Sequence, residues 1–186
     1  MKLKNITPYL IIALLAFSVY FHTLFFDLTY FDDNILIRDR AEFISNFSNF
    51  FKTFFEDVFA GEGYKSYYRP FLTITFLISA SFSKNAIMIH HLMNILLHII
   101  ALYLTFNLFL KLNYDKSKSL ILILLFAIHP VFSQAVSWIP GRNDTLLAIF
   151  ILASFIFFIQ FIKTKKIFYL FLNIFFFFTA LFTKET

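Results

Sequence analysis

AIMIHHLMNILLHIIALYLTFNLFL, residues 86–110, contains no Asp, Glu, Lys or Arg. A helix rises about 1.5 Å per residue, so this segment is long enough to cross a hydrocarbon layer roughly 30 Å thick. Four other apolar segments accompany it, at residues 9–26, 119–128, 145–162 and 167–182. The segment 119–128 is short, and we expect it either to extend into residues 131–136 or to line protein rather than lipid. The pattern predicts an all-α membrane protein, a multi-pass helical bundle of about five spans.

The composition of the chain agrees with a membrane protein. Hydrophobic residues make up 60% of it and 31 of its 186 residues are Phe, whereas soluble domains are about 45–50% apolar. The absence of cysteine excludes thiol catalysis, disulfides and Cys-based zinc sites. The first apolar segment is longer than a signal-peptide core, and bulky Phe25 and Phe26 stand where small cleavage-site residues belong, so we expect an uncleaved helix.

The distribution of charge between the loops predicts the orientation. One set of loops and the N-terminus carries eight lysines and one acid, a net charge of +7; the lysines are Lys2, Lys4, Lys111, Lys116, Lys118, Lys163, Lys165 and Lys166. The other set carries eight basic and ten acidic side chains, a net charge of −2. Because basic loops stay in the cytoplasm, we expect a cell-membrane protein with its N-terminus inside. The net basic charge is therefore a signal of topology and does not indicate binding to nucleic acid.

The longest loop, residues 27–84, is predicted to be extracytoplasmic and to carry surface-lying amphipathic helices. Its apolar residues recur at spacings of three and four, which is typical of one face of a helix at the membrane surface. They are Phe43, Phe47, Phe50, Phe51, Phe54, Phe55, Val58 and Phe59. Gly61 and Gly63 are predicted to end this helix. A second, half-apolar helix is expected at residues 71–82, after Arg69 and Pro70.

Two adjacent carboxylates, Asp32 and Asp33, follow the first span. Ionisable side chains at a membrane boundary are costly and usually have a function. A carboxylate near both an apolar medium and a like charge can have a raised pKa, which suits a general base. The alternative interpretation is a solvated pair at the interface or a helix N-cap, and the bare pair by itself favours that alternative.

Polar side chains inside and between the spans form a second group of candidates. His91, Asn94 and His98 fall on one helical face, and we expect them to pack the bundle or to bind a polar head group. Their spacing only weakly indicates a metal site. His129, Arg142 and Asp144 lie in the next external loop, where Arg142 could pair with Asp144 or bind a phosphate, or where the loop could be an ordinary interfacial turn. Lys184 and Glu185 end the chain on the same side.

Five strings occur in a characteristic order: YFDDN, YYRPFLTITF, HHLMNILLHIIALYL, LLFAIHPVFSQAVSWIPGRNDTLLAIF and ALFTKET. Together they resemble the N-terminal membrane part of the protein O-mannosyltransferase-like proteins that carry transmembrane and tetratricopeptide segments. These proteins belong to the C-type glycosyltransferase superfamily. The resemblance extends over almost the whole chain, from about residue 30 to residue 185, and the block from His129 to Asp144 is its most specific part.

The resemblance implies transfer of a sugar, with mannose the family's habit, from a polyprenyl-phosphate donor to a hydroxyl of an acceptor protein or glycan on the extracytoplasmic face. The acidic motif that serves as catalytic base in this family maps to Asp32 and Asp33, with a slight preference for Asp33. The expected substrate-binding residues are Arg69, His91, His98, His129, Arg142, Asp144, Lys184 and Glu185. The resemblance assigns no metal ligand and no cofactor besides the lipid-linked sugar, and it leaves metal dependence open.

Family members continue beyond the point that corresponds to Glu185, into further spans and tetratricopeptide repeats. We therefore expect residues 1–186 to be the N-terminal part of a membrane glycosyltransferase domain, inactive alone if donor-binding helices are missing. Two alternatives remain. One is a non-catalytic membrane anchor, and the other is a fragment of an ion or proton transporter, for which only His98 offers an ionisable group at mid-membrane depth.

Overall fold

The computed structural model describes residues 3–59, 67–82 and 87–184, with side chains described from residue 6 onward. Within these ranges the structure is helical and contains no strand. The α-helices are α1 (Leu3–Tyr20), α2 (Ala41–Ile44), α3 (Pro70–Phe82), α4 (Ile87–Lys111), α5 (Lys116–Ala127), α6 (Ser133–Ser137), α7 (Arg142–Thr164) and α8 (Ile167–Leu181). Turns of 3₁₀-helix occur at Phe21–Phe25, Phe47–Phe54 and Pro130–Phe132, and a π-helical turn at Asn34–Arg38.

All five predicted apolar segments are helical, which confirms the all-α membrane bundle. By length and composition, three helical stretches among the described residues can cross a membrane alone: Ile6–Phe25, Ile87–Lys111 and Arg142–Thr164. The helices α5 and α6 form a fourth apolar stretch that bends by 53°. The fifth, α8, is shorter, at 15 residues. The predicted number of five spans is therefore approximate.

The bend between α5 and α6 has a local cause in the sequence. Pro130 disfavours a helical conformation at the residue before it, and His129 is extended with ψ of 126°. The His129 ring then caps the new turn, because its Nδ1 accepts a hydrogen bond from the Val131 amide at 3.2 Å. The short segment 119–128 thus does continue into residues 131–136, as one of the two expectations held, but at an angle.

Two apolar cores lie side by side. The first joins α1, α4 and α5 through residues such as Ile12, Tyr20 and Phe106. The second gathers the first loop around α3 and the start of α7, and includes Leu36 and Phe76. The hairpin of α7 and α8 completes the bundle, and its helices exchange hydrogen bonds between Ser154 and Asn173.

The first loop differs from its prediction in two ways. The expected continuous helix over residues 43–59 is wrong: α2 ends at Ile44, and separate 3₁₀ turns begin at Phe47. Polar side chains compete for the backbone at this break, since Ser45 Oγ donates to the Ala41 carbonyl and Asn46 accepts from the Ser48 amide. The positions of Gly61 and Gly63 lie outside the described residues.

The second predicted helix of the loop is confirmed in its bounds but does not lie on the surface. It begins with Pro70 in its first turn, where the missing N–H costs nothing. Leu72, Phe76 and Leu77 are buried, and the helix packs between the loop, α4 and α7. The absence of charged residues from its sequence is explained by this position inside the bundle.

Candidate functional site

The acidic pair follows the first span and lies at the start of the helical turn that continues as Asn34–Arg38. Asp33 is buried, with 2% of its surface exposed, whereas Asp32 is half-buried. Phe31, just before the pair, adopts a positive φ of 74°, which is strained for a bulky side chain. Such strain persists only where the surrounding structure over-determines it, and it is frequent at functional sites.

The two carboxylates have different surroundings. Oδ2 of Asp33 accepts hydrogen bonds from both the amide and the hydroxyl of Thr29, each at 2.7 Å. Its Oδ1 is buried and has no hydrogen-bond partner among the described residues. Burial raises the pKa of Asp32, the charge of Asp33 raises it further, and Arg69 partly offsets the rise. Asp33 is therefore held in place. Asp32 is the more accessible of the two, and its pKa is higher than that of an ordinary aspartate.

Contacts link the acidic pair to the end of the chain. Arg69, whose charge acts on Asp32, lies with its guanidinium 4.8 Å from the centre of the Tyr67 ring. The neighbouring Tyr68 ring packs edge-on against Phe182, at 5.9 Å between ring centres. Two residues further on, Lys184 forms a salt bridge with Asp144 in the first turn of α7. The structure thus brings Asp32, Arg69, Lys184 and Asp144 to the same end of the bundle; Glu185 lies outside the described residues.

Arg142 is completely buried and does not belong to this group of charged residues at the end of the bundle. Its donors all bond to neutral groups: Nε to Asn94 Oδ1 (2.7 Å), Nη1 to the Thr75 carbonyl (3.2 Å), Thr75 Oγ1 (3.2 Å) and Ser79 Oγ (3.1 Å), and Nη2 to the His90 carbonyl (2.7 Å). Its guanidinium also lies 4.8 Å from the centre of the Phe76 ring. A buried charge is costly unless hydrogen bonds replace water, and this set does so. Arg142 therefore ties α7 to α3 and α4, and the pairing of Asp144 is with Lys184 instead.

The residue before Arg142, Gly141, has no space for a side chain. A β-carbon on Gly141 would lie 2.4 Å from the Gln134 carbonyl oxygen of α6, which is closer than atoms can approach. Asn94 secures the same turn from the other side, since its Nδ2 donates to the carbonyls of Val136 and Trp138 at 3.1 and 2.9 Å. The glycine and the amide together hold the first turn of α7 against α4 and α6.

The three candidate histidines occupy different places. His91 is buried near the start of α4, against the ring of Phe26. His98 is buried about two turns further along, and its ring lies edge-on to that of Tyr20, with 5.4 Å between ring centres. His129 is exposed at the bend before α6. The structure does not gather them, and within the described residues no three His, Cys, Asp or Glu side chains group as metal ligands.

A cavity of about 500 Å³ lies between α4, α7 and the bend of α5 and α6. Its lining is almost entirely apolar and consists of His98, Ala101, Leu102, Thr105, Phe126, Phe132, Ala135, Asp144, Thr145, Leu147, Ala148, Ile151 and Leu152. Asp144 marks the charged end, and Leu152 lies eight residues further along α7, or roughly 12 Å at 1.5 Å per residue. Nε2 of His98 is buried and has no hydrogen-bond partner among the described residues.

The sequence pattern indicated the charged residues at this end of the bundle but not the hydroxyl residues that bond Asp33 and Arg142. Thr29, Thr75 and Ser79 hold Asp33 and Arg142, and none of them was a candidate. The spacing of Thr75 and Ser79, four residues apart in an apolar helix, was the available signal, because two hydroxyls on one buried face require a partner.

Comparison with known proteins finds relatives over most of the chain. The protein O-mannosyl-transferase TMTC3 of Homo sapiens is 34% identical over 161 residues, covering 83% of this chain and 17% of the relative. The protein O-mannosyl-transferase tmtc2 of Xenopus laevis is 31% identical over 159 residues, covering 84% and 19%. The protein O-mannosyl-transferase F38B6.6 of Caenorhabditis elegans is 30% identical over 131 residues, covering 67% and 18%. The chain spans less than one fifth of the length of these relatives. No family model and no solved structure matches it.

Proposed function

Because the chain belongs to the family of the TMTC protein O-mannosyl-transferases, we propose that it forms the catalytic end of a membrane mannosyltransferase. The donor is a polyprenyl-phosphate-linked sugar and the acceptor is a hydroxyl of a protein or glycan. The observation that carries this proposal is the pair of unlike carboxylates, a buried and anchored Asp33 beside a half-buried Asp32 of raised pKa. The activity is proposed for the full-length protein that contains this segment.

Asp32 is the catalytic base in this proposal. It takes the proton from the acceptor hydroxyl while that oxygen attacks the anomeric carbon of the donor. The bond from the anomeric carbon to the phosphate oxygen breaks, and the polyprenyl phosphate leaves with the electron pair. A raised pKa makes Asp32 a stronger base than an ordinary aspartate, which suits proton abstraction from a hydroxyl. Asp33 acts through Asp32 as a positioning residue, because its charge raises the pKa of its neighbour.

Cationic side chains near Asp32 and Asp33 can stabilise the negative charge of the departing phosphate. Arg69 acts on Asp32 electrostatically, and Lys184 lies at the rim, with its side chain 30% exposed. A positive group that faces the leaving oxygen stabilises charge that develops in the transition state. We assign this role to Arg69 first and Lys184 second, and not to Arg142, whose donors are engaged with neutral groups in the interior.

The apolar cavity supports a donor with a long hydrocarbon chain. Its walls belong to helices of membrane-spanning character, and its charged end carries Asp144 and the bound Lys184. An isoprenoid chain would lie along α7 with its phosphate near Lys184. The charge difference between the two sets of loops supports an extracytoplasmic location for this end.

The test is sugar transfer by the full-length protein in vesicles, from a panel of polyprenyl-phosphate sugars to an acceptor peptide rich in Ser and Thr. We expect transfer from the polyprenyl-phosphate mannose and none from a nucleotide-linked mannose. Transfer from the nucleotide sugar alone would contradict the proposed donor. A protein that is folded, judged by circular dichroism, and inactive with every donor would support the non-catalytic anchor instead.

A further inference from the structure

Six lysines lie at the end of the bundle opposite the acidic pair: Lys111, Lys116, Lys118, Lys163, Lys165 and Lys166. Nζ of Lys163 donates to the Lys111 carbonyl at 3.0 Å, which places the turn after α4 beside the turn after α7. Asp115 is the one acidic residue between residue 86 and residue 143, and residues 145–184 contain none. A strongly basic region therefore lies at the ends of two helices of spanning length.

The local structure accounts for only part of this charge. Lys163 and Lys111 serve the helix ends, since Lys163 bonds a terminal carbonyl of α4 and Lys111 bonds Gln160 at 2.7 Å. Lys165 also serves a helix end, since it caps the C-terminus of α7 and its backbone N–H donates to the Phe161 carbonyl. Lys118 and Lys166 do not fit that explanation. They lie at or just before the first turns of α5 and α8, where a positive charge opposes the helix dipole.

Aromatic and aliphatic side chains surround the lysines. Tyr114 is 56% exposed, and Ile167 and Phe168 are exposed beside Lys165 and Lys166. Exposed aromatic rings next to lysines are typical of the level at which lipid head groups meet the hydrocarbon. Basic side chains at this level attract anionic phospholipids over a distance set by ionic screening.

We propose that the patch formed by Lys118, Lys163, Lys165 and Lys166 binds the head groups of anionic phospholipids in the membrane leaflet that it faces. The ligand is a phosphodiester with a net negative charge, and the exposed aromatic and aliphatic residues contact its acyl chains. This site lies at the other end of the bundle from the proposed sugar transfer and does not depend on it.

The test uses the purified chain in a non-ionic detergent, with phosphatidylglycerol or phosphatidylcholine added at equal concentration. We expect phosphatidylglycerol to raise the thermal unfolding temperature more than phosphatidylcholine does, and native mass spectrometry to show preferential retention of phosphatidylglycerol. The preference should fall as salt is raised from about 50 mM to about 1 M, because the Debye length shrinks to roughly 3 Å. Equal stabilisation by the two lipids, or a preference that does not change with salt, would overturn the proposal.

A triple variant, Lys118→Gln, Lys165→Gln and Lys166→Gln, localises the effect while leaving the Lys163 hydrogen bond in place. Its affinity for phosphatidylglycerol should fall by about tenfold or more, since each lysine near an anionic surface contributes measurably. The control is Arg38→Gln with Lys52→Gln, which removes exposed positive charge at the opposite end. The proposal fails if the folded triple variant keeps the lipid preference, or if the control loses it to the same extent. If the triple variant does not fold, the salt dependence of the unchanged chain decides.

Discussion

Nε of Arg142 donates a 2.7 Å hydrogen bond to Oδ1 of Asn94, and this bond joins the first residue of α7 to the buried face of α4. Asn94 uses its other end to bind the backbone before α7. The two residues lie 48 positions apart in the sequence. Both are buried, and the bond satisfies the amide oxygen of Asn94 and one N–H of the Arg142 guanidinium. Arg142 in the GRND string is consequently a structural centre of this bundle rather than a surface cation.

Replacing Arg142 should destabilise the fold. Arg142→Ala leaves the polar groups of Asn94, Thr75 and Ser79 buried without their donor, and we expect the free energy of unfolding to fall by about 3 kcal/mol or more. Denaturant unfolding followed by circular dichroism measures the loss. Arg38→Ala is the control, because Arg38 is exposed and pairs with the exposed Asp39, and it should change stability by less than about 0.5 kcal/mol. Equal effects of the two variants would refute the structural role.

Replacing Asp32 should abolish transfer without loss of stability. In the full-length protein, Asp32→Asn removes the base at nearly constant volume, and we expect the transfer rate to fall by about 10²–10⁴-fold. Because burial raises the folded-state pKa of Asp32, its protonation stabilises the fold at pH values below the unfolded pKa, and this stabilisation is lost as the pH rises through the folded pKa. At neutral pH the variant should therefore be at least as stable as the unchanged protein. A wild-type rate in Asp32→Asn would mean that the pair is not catalytic.

The pH dependence of transfer should report the interaction of the two aspartates. The base must be ionised, so activity should be lost as the pH falls through the pKa of Asp32, at a midpoint above its ordinary value of 3.8. Asp33→Asn removes the like charge that raises this pKa and should move the midpoint to lower pH while keeping substantial activity. A purely structural Asp33 would reduce the rate at every pH without moving the midpoint. Rate profiles between pH 3 and pH 8 distinguish the two.

Filling the cavity should weaken donor binding. Ala148→Phe places a ring among Leu102, Phe132 and Ile151, and we expect the KM for the polyprenyl-phosphate sugar to rise by about tenfold, with little effect on the acceptor. Ile121→Phe is the matched control on the exposed face of α5, where the added ring meets no cavity. An unchanged donor KM in a folded Ala148→Phe protein would exclude the cavity from donor binding.

Cysteine labelling can establish the orientation, because the chain contains no native cysteine. Ser48→Cys lies in an exposed part of the first loop and Ser117→Cys lies exposed in the lysine-rich first turn of α5. From the charge difference between the loops, a membrane-impermeant maleimide should label Ser48→Cys on intact cells and Ser117→Cys only after permeabilisation. The reverse pattern would invert the assigned topology.

Much of this protein could be predicted from residue order alone. The apolar runs determine where helices cross or enter the membrane, since an unpaired backbone is too costly in lipid for any other structure. Pro70 specifies where α3 begins, Pro130 specifies the bend after α5, and the strings around Asp32 and Arg142 indicate the family. These features depend on local chemistry, which is the same in any fold that contains the segment.

Only the tertiary structure determined what the polar residues do. A helix such as α3 has no charged residue and only scattered hydroxyls, so its sequence does not say which neighbour each face meets. In the folded chain Thr75 and Ser79 accept hydrogen bonds from Arg142, so Arg142 does not pair with Asp144. Asp144, at the edge of the cavity, pairs with Lys184 instead. The tertiary structure also distinguishes Asp32 from Asp33, which are the same residue type and adjacent along the chain. Their surroundings differ because the turn at Phe31 buries Asp33 against Thr29 and leaves Asp32 half-exposed, where the charge of Arg69 acts on it.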